Sequence, residues 1–407
     1  MINKKFIPFY LIGLYPFTLI LGTLISESLS IILILLFAVE SIKNKKLNFY
    51  KDLIIYFLVI IWIFMMINLF NSIDFQLSFN RSIFFIRYPL LILSITYFLR
   101  KDPDKIEIIF KLWMLTVVVT IIDLYIQFFF GANILGYQSP WEERLSGFFN
   151  QELKVAHLLI GFFLPAFAYF FQKKPKNIFL YILLILYFLI LILTNERANI
   201  IRGSLALLIF FTLIPYFKVK IKTILISSIL AIFCVMLFFV EPVKNRFIKE
   251  ISAMDADKSL INYVILSNYG PHYLTSLEIF KKNKLFGTGI KTFRKSCKNV
   301  SIKKYYKDDS HLSNSGCSTH PHQYYFEILS DQGLLGFIIF VSFFIYLSLR
   351  IIKRFFISKN LVFFATGSFL LVQLIPILPT GSFFTSFGST IYFINLSLIF
   401  YYLKQDE

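Results

Sequence analysis

The stretch THPHQYYFEILSDQGLLG, residues 319–336, joins two unlike parts of the chain. A long polar segment, residues 241–322, precedes it, and a strongly apolar segment follows it. The stretch contains two of the five histidines. Because it couples a polar loop to an apolar helix and carries ionisable side chains, we expect any chemistry of the protein to take place here.

The composition of the whole chain indicates a membrane protein. Of its 407 residues, 57% are hydrophobic and 16% are charged, and the mean hydropathy is +0.71. Apolar runs recur at lengths near the roughly 20 residues that a bilayer requires, and short polar breaks separate them. We therefore predict an all-α integral membrane protein that forms a single polytopic domain over residues 1–407.

The apolar runs predict about twelve transmembrane helices. The first run follows Lys4 and Lys5 as a signal peptide would, but it is long and lacks a small-x-small cleavage site, so we interpret it as the first span. The predicted spans are approximately 6–23, 25–42, 53–71, 83–99, 107–130, 155–172, 178–194, 199–217, 223–241, 324–349, 360–378 and 385–403.

The distribution of basic residues predicts the orientation of the chain. Lysine and arginine concentrate in alternate loops, and the remaining loops nearly lack lysine. The positive-inside rule then places both termini in the cytoplasm. The same rule explains the net charge of +18, so we reject nucleic-acid binding. The segments on the far side are 72–82, 131–154, 195–198, 241–322 and 379–384.

The outer segment 241–322 is too polar to span the membrane and too long for a turn. Loops of this kind usually carry function. Residues 273–282 within it are predicted to form a helix that lies on the membrane surface. The apolar side chains expected to face the lipid are Leu274, Leu277, Ile279 and Phe280.

Two of the three cysteines, Cys297 and Cys317, fall in this outer segment, and Cys234 lies inside a predicted span. An oxidising compartment permits a disulfide between the two outer cysteines, and it would constrain the approach to His320 and His322. The alternative is a pair of unrelated free thiols. We predict the disulfide because both residues lie on the outer face by the independent argument from charge.

His322-Gln323, nine further residues and then Gly333-Leu-Leu-Gly336 form the pattern H-[NSQ]-x9-G-x-x-G. This pattern resembles the signature of the O-antigen ligase and Wzy-type O-antigen polymerase superfamily, in which it follows a large periplasmic loop. The resemblance covers residues 120–345. Further stretches resemble that family in the same order: DLYIQ at 123–127 with Gly131 and Gly136, RLSGFFN at 144–150, TNERA at 194–198 and LFGTG at 285–289.

The resemblance implies a GT-C-like membrane glycosyltransferase of the bacterial inner membrane that needs no cofactor. Its donor would be an undecaprenyl-diphosphate-linked oligosaccharide. Its acceptor would be a lipid-linked glycan for an O-antigen polymerase, or the lipid A core for an O-antigen ligase. We favour the polymerase because residues 196–199 and 297–322 look more like polymerase-type members.

Transfer of a glycan to a hydroxyl needs a base for the hydroxyl proton and cations for the departing diphosphate. A neutral imidazole near pH 7 suits the first role, so His322 is the candidate catalytic base. The alternative is a structural histidine that anchors the start of the tenth span. The candidate donor-binding residues are Arg87, Arg144, Arg197, Arg294, His272 and His320.

The roles of two of the arginines depend on their position relative to the membrane. Arg197 lies near the outer end of a span, where it either forks onto phosphate oxygens or snorkels to the surface. Arg87 lies about one turn inside the fourth predicted span, where burial in lipid is costly, so we expect it to face a polar cavity.

The chain departs from the family pattern at one place. Many members carry a second arginine ahead of the G-x-G turn, whereas this chain has Tyr269-Gly-Pro-His272-Tyr273. Either His272 takes that phosphate-binding place or the place is empty. Gly333 and Gly336 are expected to let helices pack closely and so to position His322.

No metal site is predicted, and the enzyme is expected to be independent of metal. The acidic residues near the outer face are adjacent pairs rather than a D-x-D pattern: Glu142, Glu143, Asp308 and Asp309. The competing interpretation of the chain is a transporter or flippase of lipid-linked sugars, which also needs many spans. Such proteins typically show repeated halves, and no internal repeat is visible here.

Overall fold

The computed structural model describes residues 4–44, 51–141, 143–215, 217–249, 260–306 and 311–405. Helices account for nearly all regular structure in these ranges. Those of seven or more residues are α1 (Ile7–Gly13), α2 (Tyr15–Leu21), α3 (Thr23–Asn44), α4 (Leu53–Asn68), α5 (Phe75–Phe84), α6 (Arg87–Lys101), α7 (Ile106–Phe130), α8 (Val155–Lys173), α9 (Ile178–Leu193), α10 (Arg197–Leu213), α11 (Val219–Phe239), α12 (Leu260–Leu266), α13 (Gly270–Lys282), α14 (Tyr324–Phe355), α15 (Leu361–Gln373) and α16 (Ser386–Leu403).

Eight helical segments of the described residues are long and apolar enough to cross a membrane. This confirms an all-helical integral membrane protein. Each of the twelve predicted spans contains helix, but the count of twelve is not confirmed. The segments that fall short are the broken pair α1–α2, the 17-residue α10 and two shorter apolar helices, α9 and α15.

Side-chain caps explain where several helices begin. Asp52 accepts a hydrogen bond from the Ile54 amide at 2.8 Å, and Asn360 accepts one from the Phe363 amide at 3.0 Å. These caps satisfy amide groups that have no partner inside the helix. Asp52 also binds Arg350 at 2.7 Å, and because Arg350 is near the end of α14, the start of α4 lies beside the end of α14.

Three helices form the centre of the bundle. Almost the whole of α8 and α16 is buried, whereas α11 is mostly exposed at the periphery. The 13-residue α15 packs against α8, α10 and α16 and is buried along nearly its whole length. Because α15 is surrounded by protein, its shortness leaves few backbone groups facing lipid.

Helix α13 of the outer segment packs against α14. The prediction that α13 lies on the membrane surface is wrong for two of its apolar side chains. Leu274 is buried against Ile302 and Tyr306, and Ile279 is buried in a cluster with Phe293 and Cys297. The amphipathic pattern therefore reflects a small protein core within the loop.

Candidate active site

His322 lies at the junction between the outer segment and α14. Gln323 caps α14, because its Oε1 accepts hydrogen bonds from the amides of Tyr325 and Phe326 at 2.7 and 3.2 Å. The backbone of His322 has a left-handed φ of 60°, and its carbonyl accepts a hydrogen bond from the Thr380 amide at 2.9 Å. The cap and the Thr380 contact fix the backbone from which the imidazole projects.

Three histidine rings meet at this junction. The centroid of the His322 ring lies 4.2 Å from that of His320 and 5.1 Å from that of His272. The centroid of the Tyr269 ring lies 5.5 Å from that of the His322 ring. The structure therefore brings together the predicted base and two of the predicted donor-binding residues.

Burial controls the protonation of this cluster. It lowers the pKa of His322 to about 4, and the neighbouring His272 lowers this pKa further. Burial also lowers the pKa of His320 and of His272. All three imidazoles are therefore neutral at pH 7, which is the form that accepts a proton.

A break in α14 at Gly333 receives the G-x-G turn of the outer segment. Gly333 has non-helical angles of φ 65° and ψ −165°. The amide of Leu334 donates to the carbonyl of Lys284 at 2.8 Å, and the amide of Gly289 donates to the carbonyl of Asp331 at 2.8 Å. The turn thus supplies partners for backbone groups that the helix leaves free at the break.

Glycine is required on both sides of this contact. A Cβ on Gly287 would lie 2.5 Å from the carbonyl carbon of Asp331, and one on Gly333 would lie 2.4 Å from the carbonyl oxygen of Leu285. The helix-packing role predicted for Gly333 is therefore wrong, because a loop backbone and not a helix approaches it. For Gly336 the nearest atom of another helix is a ring carbon of Phe64 in α4, 2.8 Å from the added Cβ, which agrees with helix packing.

A buried ionic cluster that the sequence analysis missed secures the same contact. Lys291 approaches Glu327 at 3.7 Å, and its side chain donates to Ser382. The backbone amide of Lys291 donates to Asp331 at 2.7 Å. The available signal was the spacing of Glu327 and Asp331, which puts two carboxylates on one face of a helix within an apolar context.

Arg294 is the predicted arginine nearest to the histidines. Its side chain is half-buried and lies within electrostatic range of His320 and Lys291. Its Nε has no hydrogen-bond partner among the described residues. Arg294 is therefore placed to attract an anion towards the histidine cluster.

Arg144 and Arg197 both lie near Glu196. Arg144 is within electrostatic range of Glu196, in the turn between α9 and α10, and Arg197 is the first residue of α10. Gln127 holds the loop that carries Arg144, because its Oε1 accepts hydrogen bonds from the amides of Ser146 and Gly147 at 3.0 and 2.8 Å.

Arg87 is already paired within the protein. Its guanidinium forms an ion pair with Glu27 at 3.1 Å and hydrogen bonds to the Phe84 carbonyl and the Tyr88 hydroxyl, each at 2.9 Å. This environment is polar, as expected, but the charge is compensated by a carboxylate. The structure does not place Arg87 in contact with the histidine cluster.

Arg202, in α10, was not predicted and is only 1% exposed. Its Nη1 donates to Asn199 at 2.9 Å, while Nε and Nη2 are buried and have no partner among the described residues. Little in the sequence marks Arg202, since an arginine within an apolar helix is equally consistent with a structural role.

Cys297 and Cys317 are disulfide-bonded in the structure, with their Cα atoms 5.1 Å apart. Cys297 is buried in the small loop core, and Cys317 lies three residues before His320. The bond therefore ties the approach to the histidines to the folded part of the outer segment.

Comparison with known families gives one match. Residues 182–341 fit the family model described as O-antigen ligase. The chain carries a domain of the O-antigen ligase and polymerase superfamily. None of the curated proteins compared with the chain matches it significantly.

The O-antigen ligase domain contains most of the site described above. It runs from α9 to the first half of α14, and so includes Arg197, Arg202, Lys291 and His322. The match supports a membrane function of O-antigen ligase or polymerase type in polysaccharide assembly.

No group of three or more His, Cys, Asp or Glu side chains that could hold a metal ion is found among the residues that the structure describes. Of the acidic residues considered in the sequence, Glu142, Asp308 and Asp309 lie outside the described residues. Glu143 is described and contacts Asn245 through its carboxylate at 2.8 Å.

Proposed function

We propose that the protein is an inverting, metal-independent glycosyltransferase of the bacterial inner membrane. It would move an undecaprenyl-diphosphate-linked glycan onto an acceptor hydroxyl at the periplasmic face, with both termini of the chain in the cytoplasm. The observation that carries the proposal is a half-buried, neutral His322 within a domain of the O-antigen ligase family, beside His320, which lies within electrostatic range of Arg294.

In this proposal His322 accepts the proton of the acceptor hydroxyl as the hydroxyl oxygen attacks the anomeric carbon. The bond from that carbon to the diphosphate oxygen breaks, and undecaprenyl diphosphate leaves with the bonding electrons. Cations compensate the charge that develops on the leaving group. The residues assigned to donor binding are Arg294, Arg144, Arg197, His272 and His320, together with Arg87 through the polar region that it shares with Glu27.

The low pKa of His322 in the free protein suits a site whose catalytic base becomes stronger when the donor binds. A base with a pKa near 4 is weak, although it is fully neutral at pH 7. A diphosphate beside the imidazole stabilises the imidazolium and so raises its pKa. The base would therefore gain strength only when the donor is bound.

We favour an O-antigen polymerase, whose acceptor is a second lipid-linked glycan, over an O-antigen ligase, whose acceptor is the lipid A core. The support is the resemblance of residues 196–199 and 297–322 to polymerase-type members. The lipopolysaccharide ladder of a deletion strain separates the two. A core capped by one repeat unit supports the polymerase, whereas bare core with polymer retained on the lipid carrier supports the ligase.

The purified protein in liposomes tests the enzyme against the flippase of lipid-linked sugars. With lipid-linked repeat units on the side of the outer segment, we expect longer lipid-linked glycans and no movement of the donor between leaflets. Movement of the donor without any glycan growth or transfer would overturn the enzyme and support the flippase.

A further inference from the structure

Arg202 is a buried cation that forms no ion pair with any residue that the structure describes. Among the described residues, its only hydrogen bond joins Nη1 to the neutral amide of Asn199. A guanidinium has five N–H donors and keeps its charge at any physiological pH. Removing such a charge from water costs several kcal/mol unless a counter-ion or hydrogen bonds replace the water. The protein bears this desolvation cost at Arg202.

The nearest carboxylate does not complete the pairing. Glu196 reaches Arg202 only through Asn199, whose Nδ2 donates to Glu196 at 2.7 Å. Burial raises the pKa of Glu196 to about 7, so this carboxyl group is partly protonated at neutral pH. The guanidinium therefore retains an unbalanced positive charge.

Tyrosine side chains link Arg202 to the histidine cluster. Tyr269, Tyr273 and Tyr324 lie within electrostatic range of the guanidinium. The Tyr269 ring also lies 5.5 Å from the His322 ring, and Tyr324 is two residues beyond His322. Phenol hydroxyls donate hydrogen bonds to anions without adding charge. The Tyr273 hydroxyl already donates to the Ile377 carbonyl at 3.0 Å, so Tyr269 and Tyr324 are the tyrosines that can serve an anion between Arg202 and the candidate base.

We propose that Arg202, Tyr269 and Tyr324 form an anion pocket that binds the diphosphate of a prenyl-linked donor beside His322. The inference rests on the proposed function and names a residue for it that the motifs do not contain. The N–H groups of Nε and Nη2 of Arg202 would donate to phosphate oxygens, and the bound anion would supply the counter-ion that the described residues do not provide. Arg202 would thereby provide, from α10, the cation that is missing from the segment Tyr269–Tyr273.

Binding of a short prenyl diphosphate to the full-length protein in detergent tests the pocket. Farnesyl diphosphate is the probe, farnesol is its uncharged control, and titration calorimetry measures the affinity. We expect Arg202→Gln to bind farnesyl diphosphate about 10- to 100-fold more weakly than wild type. Arg350→Gln is the matched control, because Arg350 is paired with Asp52 at the opposite end of α14 and should leave the affinity unchanged.

Thermal unfolding without ligand separates a binding role from a structural one. Because Arg202 is uncompensated, Arg202→Gln should unfold at the same temperature as wild type or higher, whereas Arg350→Gln should unfold at a lower temperature. If Arg202→Gln fails to fold, Arg202→Lys replaces it. Lysine keeps the charge but loses the planar fork, so it should also weaken binding.

The outcomes separate the pocket from the proposed function. Binding of farnesyl diphosphate by wild type and equally by the folded Arg202 variant would overturn the pocket and leave the donor class intact. Absence of binding by wild type, or equal binding of farnesol, would overturn the diphosphate donor and with it the proposed function. Selective binding that depends on Arg202 supports both.

Discussion

Lys291 and Arg202 are two almost equally buried cations, with 3% and 1% of their surface exposed, but their surroundings differ. Lys291 lies 3.7 Å from Glu327 and donates to Ser382. Arg202 has one neutral amide as its partner, and two of its nitrogen atoms have none among the described residues. The difference indicates that Lys291 and Glu327 form a structural ion pair, which we call the scaffold pair, and that Arg202 is a ligand-binding residue.

The comparison shows that a buried charge does not by itself identify a binding residue. The protein pairs Lys291 with Glu327 and Ser382, and that cation thereby joins the outer segment to α14 and to the loop before α16. By contrast, it leaves two nitrogen atoms of Arg202 without partners among the described residues, at a place where a bound anion could accept their hydrogen bonds. Arg87 lies between the two cases, since Glu27 compensates its charge at 3.1 Å and a bound donor would share it with that carboxylate.

The largest effect should come from breaking the scaffold pair. Glu327→Gln leaves Lys291 positive and buried, and an amide replaces the oxygen that accepts from the Phe383 amide at 2.7 Å. We expect the free energy of unfolding to fall by about 3–5 kcal/mol. Chemical unfolding in detergent measures it, with the exposed Glu152→Gln as the control. A loss below about 1 kcal/mol would remove the distinction between the two cations.

The contact between the G-x-G turn and α14 should be nearly as sensitive. Gly287→Ala adds a methyl group at 2.5 Å from the backbone of Asp331 and at a φ of 69°, so we expect a loss of roughly 3 kcal/mol or more. Gly136→Ala is the matched control, because φ is 82° there and no atom lies within 4 Å of the new Cβ. It should cost about 1 kcal/mol. Equal losses would mean that the turn does not lie against α14.

The disulfide should stabilise the outer segment by a smaller amount. Cys297 and Cys317 are 20 residues apart, and closing a loop of that length is worth up to about 3 kcal/mol. Cys317→Ser should make the segment before His320 more sensitive to limited proteolysis. Thiol labelling of the denatured, unreduced wild type should modify Cys234 alone, and modification of all three cysteines would show that the bond is absent.

The pH dependence of transfer is a further and smaller effect. Since burial holds the pKa of His322 near 4, the acid limb of kcat/KM should lie near pH 4 and not near the ordinary value of 6.5. The acid limb of kcat reports the donor complex and should lie at higher pH, because the bound diphosphate favours the imidazolium. Rate profiles measured between pH 3.5 and 8 check both, as ~0.5-unit steps resolve limbs that differ by a pKa unit or more. Coincident limbs would argue against a diphosphate beside His322.

Local sequence features predicted much of this protein. Apolar runs of spanning length gave the helical membrane class, which the structure confirms. The spacing of His322 from Gly333 and Gly336 carried the family resemblance, which the match over residues 182–341 confirms. These features were accessible because each depends on residues that are close together in the chain.

Features that depend on distant contacts were not accessible. Lys291 and Glu327 are 36 positions apart, and only the folded turn shows that they pair. Arg202 and Arg87 both occur in apolar surroundings, so the sequence could not tell that Glu27 compensates one of them. The apolar face of α13 was assigned to the membrane surface, because the pattern does not reveal that protein covers Leu274 where lipid was expected.

The rate of glycan transfer by His322→Gln tests the central claim most directly. Glutamine can hold a hydrogen bond but cannot accept the proton, so transfer by the purified variant in liposomes should fall by about 10²- to 10⁴-fold while farnesyl diphosphate still binds. His320→Gln, which changes the adjacent ring of the cluster, should have a milder effect. Transfer by His322→Gln at near the wild-type rate would contradict the assignment of His322 as the base.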